Sequence, residues 1–82
     1  MNAFAENLGV LPPQSHEAEQ SVLGGLILDG SKLLELKLVA DDFYSRPHRL
    51  MFTAMQTLAA RRDNIDFLTV MNEMEVNGTI DF

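Results

Sequence analysis

The segment 48–59 carries the pattern that most restricts the fold of this chain. Its apolar side chains recur every three or four residues, the spacing of one face of an α-helix. The members of this stripe are His48, Met51, Phe52, Met55, Leu58 and Ala59. Ser45 precedes the stripe as a candidate N-cap, and Pro47 is tolerated in a first helical turn. We therefore predict a helix that buries one face and has Arg61 and Arg62 in its last turn, where positive charge suits the helix dipole.

An earlier segment also predicts a helix, which begins after Ser15 and runs to about residue 28. Ser15 is a good N-cap, and Glu17 and Glu19 place carboxylates near the positive end of the helix dipole. The rest of the segment is apolar almost all round, which predicts a central helix that neighbours cover on most sides. Gly24 and Gly25 cost about 1 kcal/mol each in helix propensity. We therefore expect a neighbouring helix to approach these two glycines closely.

The next segment predicts a second, shorter helix. Asp29 and Gly30 end the first helix, with Gly30 in the C′ position that glycine favours. Ser31 can cap a helix that extends to about Lys37 or Val39, since lysine, leucine and glutamate are strong helix formers. The stretch 40–44 then predicts a single helical turn, which places Phe43 in the core.

The last segment predicts a fourth helix, capped by Asp66. Its apolar positions are Phe67, Val70, Met71 and Met74. Asn77 and Gly78 end this helix, and residues 79–82 are too few to classify.

These elements together indicate an all-α fold, a small bundle of about four helices packed orthogonally or antiparallel, because no segment shows the alternation of a strand. The chain has 82 residues, enough for one small domain. We predict a flexible N-terminal tail over residues 1–13, where Gly9, Pro12 and Pro13 interrupt regular structure, and a helical domain over residues 14–82.

Composition narrows the classes of function. The sequence has no cysteine, which rules out disulfides, a thiolate nucleophile and a cysteine-based zinc site, and which fits the cytoplasm. No signal peptide is recognisable, and the longest apolar run, 22–28, is too short to span a membrane. Twelve acidic and six basic residues give a net charge of −6, and the basic residues form no stripe. Such a surface repels DNA, so any work near DNA is expected to pass through other proteins.

Residues 16–20 come close to the zinc protease motif HExxH. That motif needs histidines at i and i+4 to hold the metal on one helix face, with the glutamate as base. His16 and Glu17 are present, but Gln20 replaces the second histidine, and glutamine is a poor zinc ligand. A solvated first helical turn is the better interpretation.

Other polar groups also have ordinary structural interpretations. Gly30-Ser31-Lys32 contains phosphate-loop letters in the wrong order, so this segment predicts no ATP site. Asp41 and Asp42 could form half of a carboxylate site only with a distant partner such as Asp66, and we expect them to cap a turn instead. Ser15 and Ser45 are better explained as caps than as nucleophiles. We assign no catalytic residue, cofactor or metal ligand.

His48, beside Arg49, lies on the apolar stripe, where a lone histidine is usually packed or capping. Its ordinary titration range would also permit a switch. The methionines on helix faces are interpreted as adaptable core residues, and a partner-binding surface stays open as the alternative. They are Met51, Met55, Met71 and Met74.

The segment 11–29 reads LPPQSHEAEQSVLGGLILD and resembles the opening of the N-terminal domain of DnaB-type replicative helicases. The resemblance covers residues 11–82 as an ordered series. It continues through Ala40-Asp41-Asp42-Phe43-Tyr44, His48-Arg49 with Phe52, Ile65-Asp66, Thr69-Val70 and Gly78. The stretch between Asp29 and Asp41 is slightly shorter than is common in the family, which predicts a trimmed second helix.

The resemblance implies a non-catalytic module of a ring-shaped hexamer that unwinds DNA with ATP. In the family the motor is a separate C-terminal domain, and the N-terminal domains form a dimer-based collar that contacts primase and sometimes loader proteins. The family domain continues beyond the point that corresponds to Phe82 and adds a helical hairpin, so the domain in this chain is expected to be incomplete. No binding residue is carried over, because the resemblance lies mainly in positions that define the fold.

Two rival interpretations remain open. A free-standing small acidic regulator could imitate the helicase head and interfere with ring assembly. A metal-dependent hydrolase would have to depend on His16 and Glu17, with the missing second histidine against it.

Overall fold

The computed structural model describes residue 11 and residues 15–79. These residues form three α-helices and two 3₁₀ segments, without a strand, so the predicted all-α class is confirmed. The elements are α1 (His16–Leu28), the first 3₁₀ segment (Gly30–Glu35), the second 3₁₀ segment (Ala40–Asp42), α2 (Arg46–Ala60) and α3 (Phe67–Val76). None of the described helices is long and apolar enough to cross a membrane. The predicted tail, apart from Leu11, and residues 80–82 lie outside the described residues.

α2 is the centre of the fold. It packs against α1, the second 3₁₀ segment and α3. Its predicted apolar face is confirmed: His48, Phe52, Met55 and Leu58 are buried, and Ala54 joins them. Phe43 is also buried as predicted, and its ring centroid lies 5.0 Å from that of Phe52. Helix α2 therefore occupies the central position that the sequence assigned to α1.

α1 lies on the surface and buries a single face. The predicted cap is confirmed, because the Ser15 hydroxyl accepts a 3.2 Å hydrogen bond from the Ala18 N–H. The expectation of close approach at Gly24 and Gly25 is wrong: both are exposed, and a Cβ built on either meets nothing within 4 Å. The long apolar run misled the prediction, because only the face that meets α2 is covered.

The predicted second helix is a six-residue 3₁₀ segment, Gly30–Glu35. Its cap is Asp29 and not Ser31, since the Asp29 carboxylate accepts from both the N–H and the hydroxyl of Ser31, at 3.2 and 2.6 Å. Gly30 is not in the left-handed region. Its lack of a side chain has another use: a Cβ there would lie 2.8 Å from Cβ of Ile65.

α3 begins at the predicted cap. The Asp66 carboxylate accepts from the Thr69 N–H, and the Thr69 hydroxyl accepts from the Asp66 N–H, both at 2.9 Å. Val70 and Met74 face the core, but Phe67 is 65% exposed, so its assignment to the apolar face is wrong. The helix ends before Gly78, whose φ of +72° requires the freedom of glycine, as predicted.

A charged contact joins the end of α2 to α3. The prediction that Arg61 and Arg62 lie in the last turn of α2 is wrong, because the helix ends at Ala60 and Arg61 is its C-cap. It donates to Glu73 at 2.8 Å and to Asp63 at 3.0 Å, and these hydrogen bonds raise the pKa of the guanidinium. Glu73 is buried, so Arg61 supplies the partner that its carboxylate needs.

Candidate functional site

A buried carboxylate joins α1 to the start of α2. Glu19 is 1% exposed, and its carboxylate accepts hydrogen bonds from the backbone N–H of Tyr44 at 2.6 Å and of Ser45 at 3.3 Å. Nδ1 of the buried His48 lies 2.7 Å from Oε1 of the same carboxylate. The sequence assigned Glu19 to a solvated first turn, and that assignment is wrong.

The cap that was expected from Ser45 does not form, and Glu19 holds the turn that leads into α2. Ser45 occupies the N-cap position of α2, but its side chain makes no capping hydrogen bond. The backbone N–H of Ser45 donates to the Glu19 carboxylate. Arg49 adds two hydrogen bonds, to the carbonyl groups of Phe43 and Tyr44, at 3.0 and 2.6 Å. The turn before α2 is therefore held by side chains of both α1 and α2.

The environment keeps Glu19 ionised. Burial alone raises the pKa of this carboxyl, but the hydrogen bond from His48, together with those from the N–H groups of Tyr44 and Ser45, lowers it by more. The net shift is downward from the ordinary value of 4.5. An ionised carboxylate accepts hydrogen bonds without offering any, which matches the donors around it.

His16 covers the other side of His48. The ring centroids of the two histidines are 4.7 Å apart, with the rings tilted by 44°. His16 is exposed, and Glu19 follows it by three positions, so both side chains of α1 reach the same place on α2. The sequence did contain a signal for the buried acid: Glu19 lies four and seven positions before the core residues Leu23 and Leu26, on one helix face.

Of the remaining candidate polar residues, Asp42 and Asp66 serve as caps. The Asp42 carboxylate accepts from the Val39 N–H at 2.8 Å and so closes the second 3₁₀ segment. Asp66 caps α3, and Asp41 is exposed. Among residue 11 and residues 15–79, no group of three or more histidine or carboxylate side chains could hold a metal ion.

A surface depression in two parts, which we call the Leu34 groove, has an apolar lining in its first part and a mainly polar lining in its second. Its first part, of about 400 Å³, lies between α2 and the leucines around the first 3₁₀ segment, and its second part, of about 590 Å³, lies beside Ile27 and Ile65. Leu34 and Ala59 line both parts. Leu34 is 86% exposed, and Leu28, which lines the second part, is 89% exposed. These two leucines leave apolar surface uncovered beside the groove, and such surface marks a candidate contact with another protein.

The methionines favour the core interpretation. Met55 and Met74 are buried. Met51 and Met71 are half-buried and pack against the same core. None of the four lines the Leu34 groove.

Comparison with known proteins gives a consistent result. The family model described as "DnaB-like helicase N terminal domain" matches residues 11–82. The replicative DNA helicase DnaB of Buchnera aphidicola subsp. Schizaphis graminum is 47% identical over 73 residues, which are 87% of this chain and 16% of the relative. DnaB of Haemophilus influenzae is 40% identical over 73 residues, with the same coverage. The replicative DNA helicase DnaC of Bacillus subtilis is 42% identical over 66 residues, or 78% of this chain and 14% of the relative. The chain thus spans about a sixth of the length of these relatives.

Proposed function

The chain belongs to the family of DnaB-like helicase N-terminal domains, and from that premise we propose that it is a non-catalytic protein-interaction module of a replicative DNA helicase. In this role it associates with other helicase subunits and docks primase, and in some systems a loader, during DNA replication in the cytoplasm. The observation that carries the proposal is the family match over residues 11–82. Unwinding and ATP hydrolysis belong, in this proposal, to a motor domain distinct from these residues.

The charge of the chain supports protein partners over DNA. The net charge is −6, and binding to the phosphate backbone is driven by lysine and arginine contacts. One of the six basic side chains, Arg61, is already paired with Glu73 and Asp63. We propose that this segment does not grip DNA directly.

The Leu34 groove is the proposed contact with a second copy of this chain. Leu28 and Leu34 are the most exposed large apolar side chains of the described residues. Covering one such leucine is worth about 1.5–3 kcal/mol, and family membership favours another subunit as the occupant.

The molar mass in solution tests this proposal. Light scattering over a wide range of protein concentration is expected to show a dimer or larger species that grows with concentration. Leu34→Ser should weaken this association by about tenfold or more, since 1.4 kcal/mol corresponds to a factor of ten. Leu68→Ser is the matched control, because Leu68 is 75% exposed but lies outside the groove. A monomer at every concentration, or equal effects of the two variants, would remove self-association through the groove from the proposal.

Docking of primase needs a separate measurement. The wild-type chain, Leu34→Ser and Leu68→Ser should each be titrated with purified primase from the same organism. Binding by the wild-type chain supports the docking role whatever the self-association result. Absence of binding in all three chains would contradict primase docking by these residues.

A further inference from the structure

The two histidines of this chain, His16 and His48, are its only ones, and they lie in contact with each other. Histidine is the side chain whose ordinary titration changes its charge between about pH 5 and pH 8. Both histidines therefore lie at one place, the joint between α1 and the start of α2.

We propose that this joint is a proton-sensitive latch, closed near neutral pH and loosened when both histidines are charged. The latch consists of Glu19, His48 and His16. It goes beyond the proposed function and does not depend on it.

A single positive charge, on His48, strengthens the contact between α1 and the start of α2. A charged His48 keeps its hydrogen bond to Glu19, since Nδ1 remains a donor, and it gains an ion pair with a carboxylate at 2.7 Å. Because both partners are buried, water screens this attraction weakly. The joint therefore stays closed while a single proton is bound.

A second positive charge, on His16, weakens the same contact. Glu19 carries one negative charge, and its oxygens already accept from His48 and from the N–H groups of Tyr44 and Ser45. The His16 ring, with its centroid 4.7 Å from that of His48, then brings a like charge against a buried cation. Separating α1 from the start of α2 relieves this repulsion, because His16 is on α1 and His48 is on α2.

The other ionisable groups on the elements that meet here do not offset the repulsion between the two charged histidines. Glu17 on α1 and Asp41 and Asp42 on the second 3₁₀ segment are exposed, and Asp42 is engaged with the Val39 N–H. On α2, the Arg49 guanidinium donates to the carbonyl groups of Phe43 and Tyr44, and so adds positive charge to this side of the joint. Arg46 is exposed.

The test compares the wild-type chain with His16→Gln at pH 7 and pH 5.5. His16 is exposed, so the variant is expected to fold and to keep the Glu19–His48 pair. The thermal midpoint of the wild-type chain should fall by on the order of 5 °C between these values, and that of His16→Gln by less than half as much. Glu17→Gln, which retains both histidines, should follow the wild-type chain.

Hydrogen exchange gives a local readout of the same latch. The N–H groups of Tyr44 and Ser45 donate to Glu19, so their protection should fall at pH 5.5 relative to that of the Val70 N–H, which donates to Asp66 at the start of α3. In His16→Gln this selective loss should be at least halved. Equal acid sensitivity of the wild-type chain and His16→Gln in both measurements would overturn the proposal and leave the histidines as packed side chains.

Discussion

Oε1 of Glu19 lies 2.7 Å from Nδ1 of His48, although 29 positions separate the two residues in the chain. The pair crosses from α1 to α2 with both members buried. The described residues hold no buried side-chain nitrogen or oxygen without a hydrogen-bond partner. The contact therefore links the two helices through polar groups whose desolvation is compensated.

Replacing Glu19 by glutamine should destabilise the fold. The amide keeps the shape of the carboxylate, but it loses the charge and turns an NH₂ group toward one of the three donors. We expect Glu19→Gln to lower the free energy of unfolding by about 1–3 kcal/mol, the cost of a buried polar group left without its partner. Urea unfolding measures this difference. Glu17→Gln, an exposed change two positions earlier on the same helix, should stay within about 0.5 kcal/mol of wild type, and a similar value for both variants would contradict the buried role.

Acid should remove the contribution of Glu19. Because the pKa of this carboxyl is lower in the folded chain than its ordinary value of 4.5, the unfolded chain binds the proton more readily. The stability contributed by the ionised group is then fully present above about pH 4.5 and is lost as the pH falls through the lowered pKa. We expect the difference in unfolding free energy between wild type and Glu19→Gln to narrow steadily below pH 4.5. A difference that stays constant down to the acid-unfolding range would exclude this linkage.

The helices whose ends carry clear turn and cap signals could be predicted from the sequence. The stripe on α2, the caps at Ser15 and Asp66 and the stop at Gly78 follow from local chemistry, because each depends on residues within a few positions. The burial of Phe43 could also be predicted locally, because a large aromatic side chain in a short turn beside an amphipathic helix is most favourably buried against that helix.

The sequence could not predict contacts between distant segments. The turn before α2 is held by Glu19 on another helix, and Ser45, which a local rule selects as the cap, makes no capping hydrogen bond. The apolar run of α1 made every face of that helix look buried, and only tertiary packing decides that Gly24 and Gly25 face outward. Gly30 is the opposite case, because its constraint comes from Ile65, which lies far along the chain.

The capping of α3 gives a local prediction. Asp66→Ala removes the acceptor for the Thr69 N–H and should lower the free energy of unfolding by about 1 kcal/mol. Asp66→Asn retains an oxygen in the same place and should recover most of that loss. Thermal unfolding of the two variants checks this, and an alanine variant as stable as the asparagine variant would show that the cap contributes little.

Replacing glycine by alanine should change the free energy of unfolding in opposite directions in α1 and at Gly30. Gly24 and Gly25 lie within α1 and an added Cβ meets nothing within 4 Å, so Gly24→Ala and Gly25→Ala should each raise the free energy of unfolding by about 0.5–1 kcal/mol by restricting the unfolded chain. Gly30→Ala should lower it by about 1–3 kcal/mol, because the new Cβ would lie 2.8 Å from Cβ of Ile65, an atom at the stem of the side chain that cannot turn away.

Urea unfolding of the three single variants at one pH measures these effects, and Gly24→Ala serves as the control for the intrinsic preference of alanine. The double variant Gly30→Ala with Ile65→Val separates the steric cause further. Valine keeps the Cβ and shortens only the end of the side chain, so it should recover little of the loss. Recovery to wild-type stability would place the conflict at the distal Cδ1 atom of Ile65, which lies 3.3 Å from the added Cβ, and would contradict the role assigned to the stem.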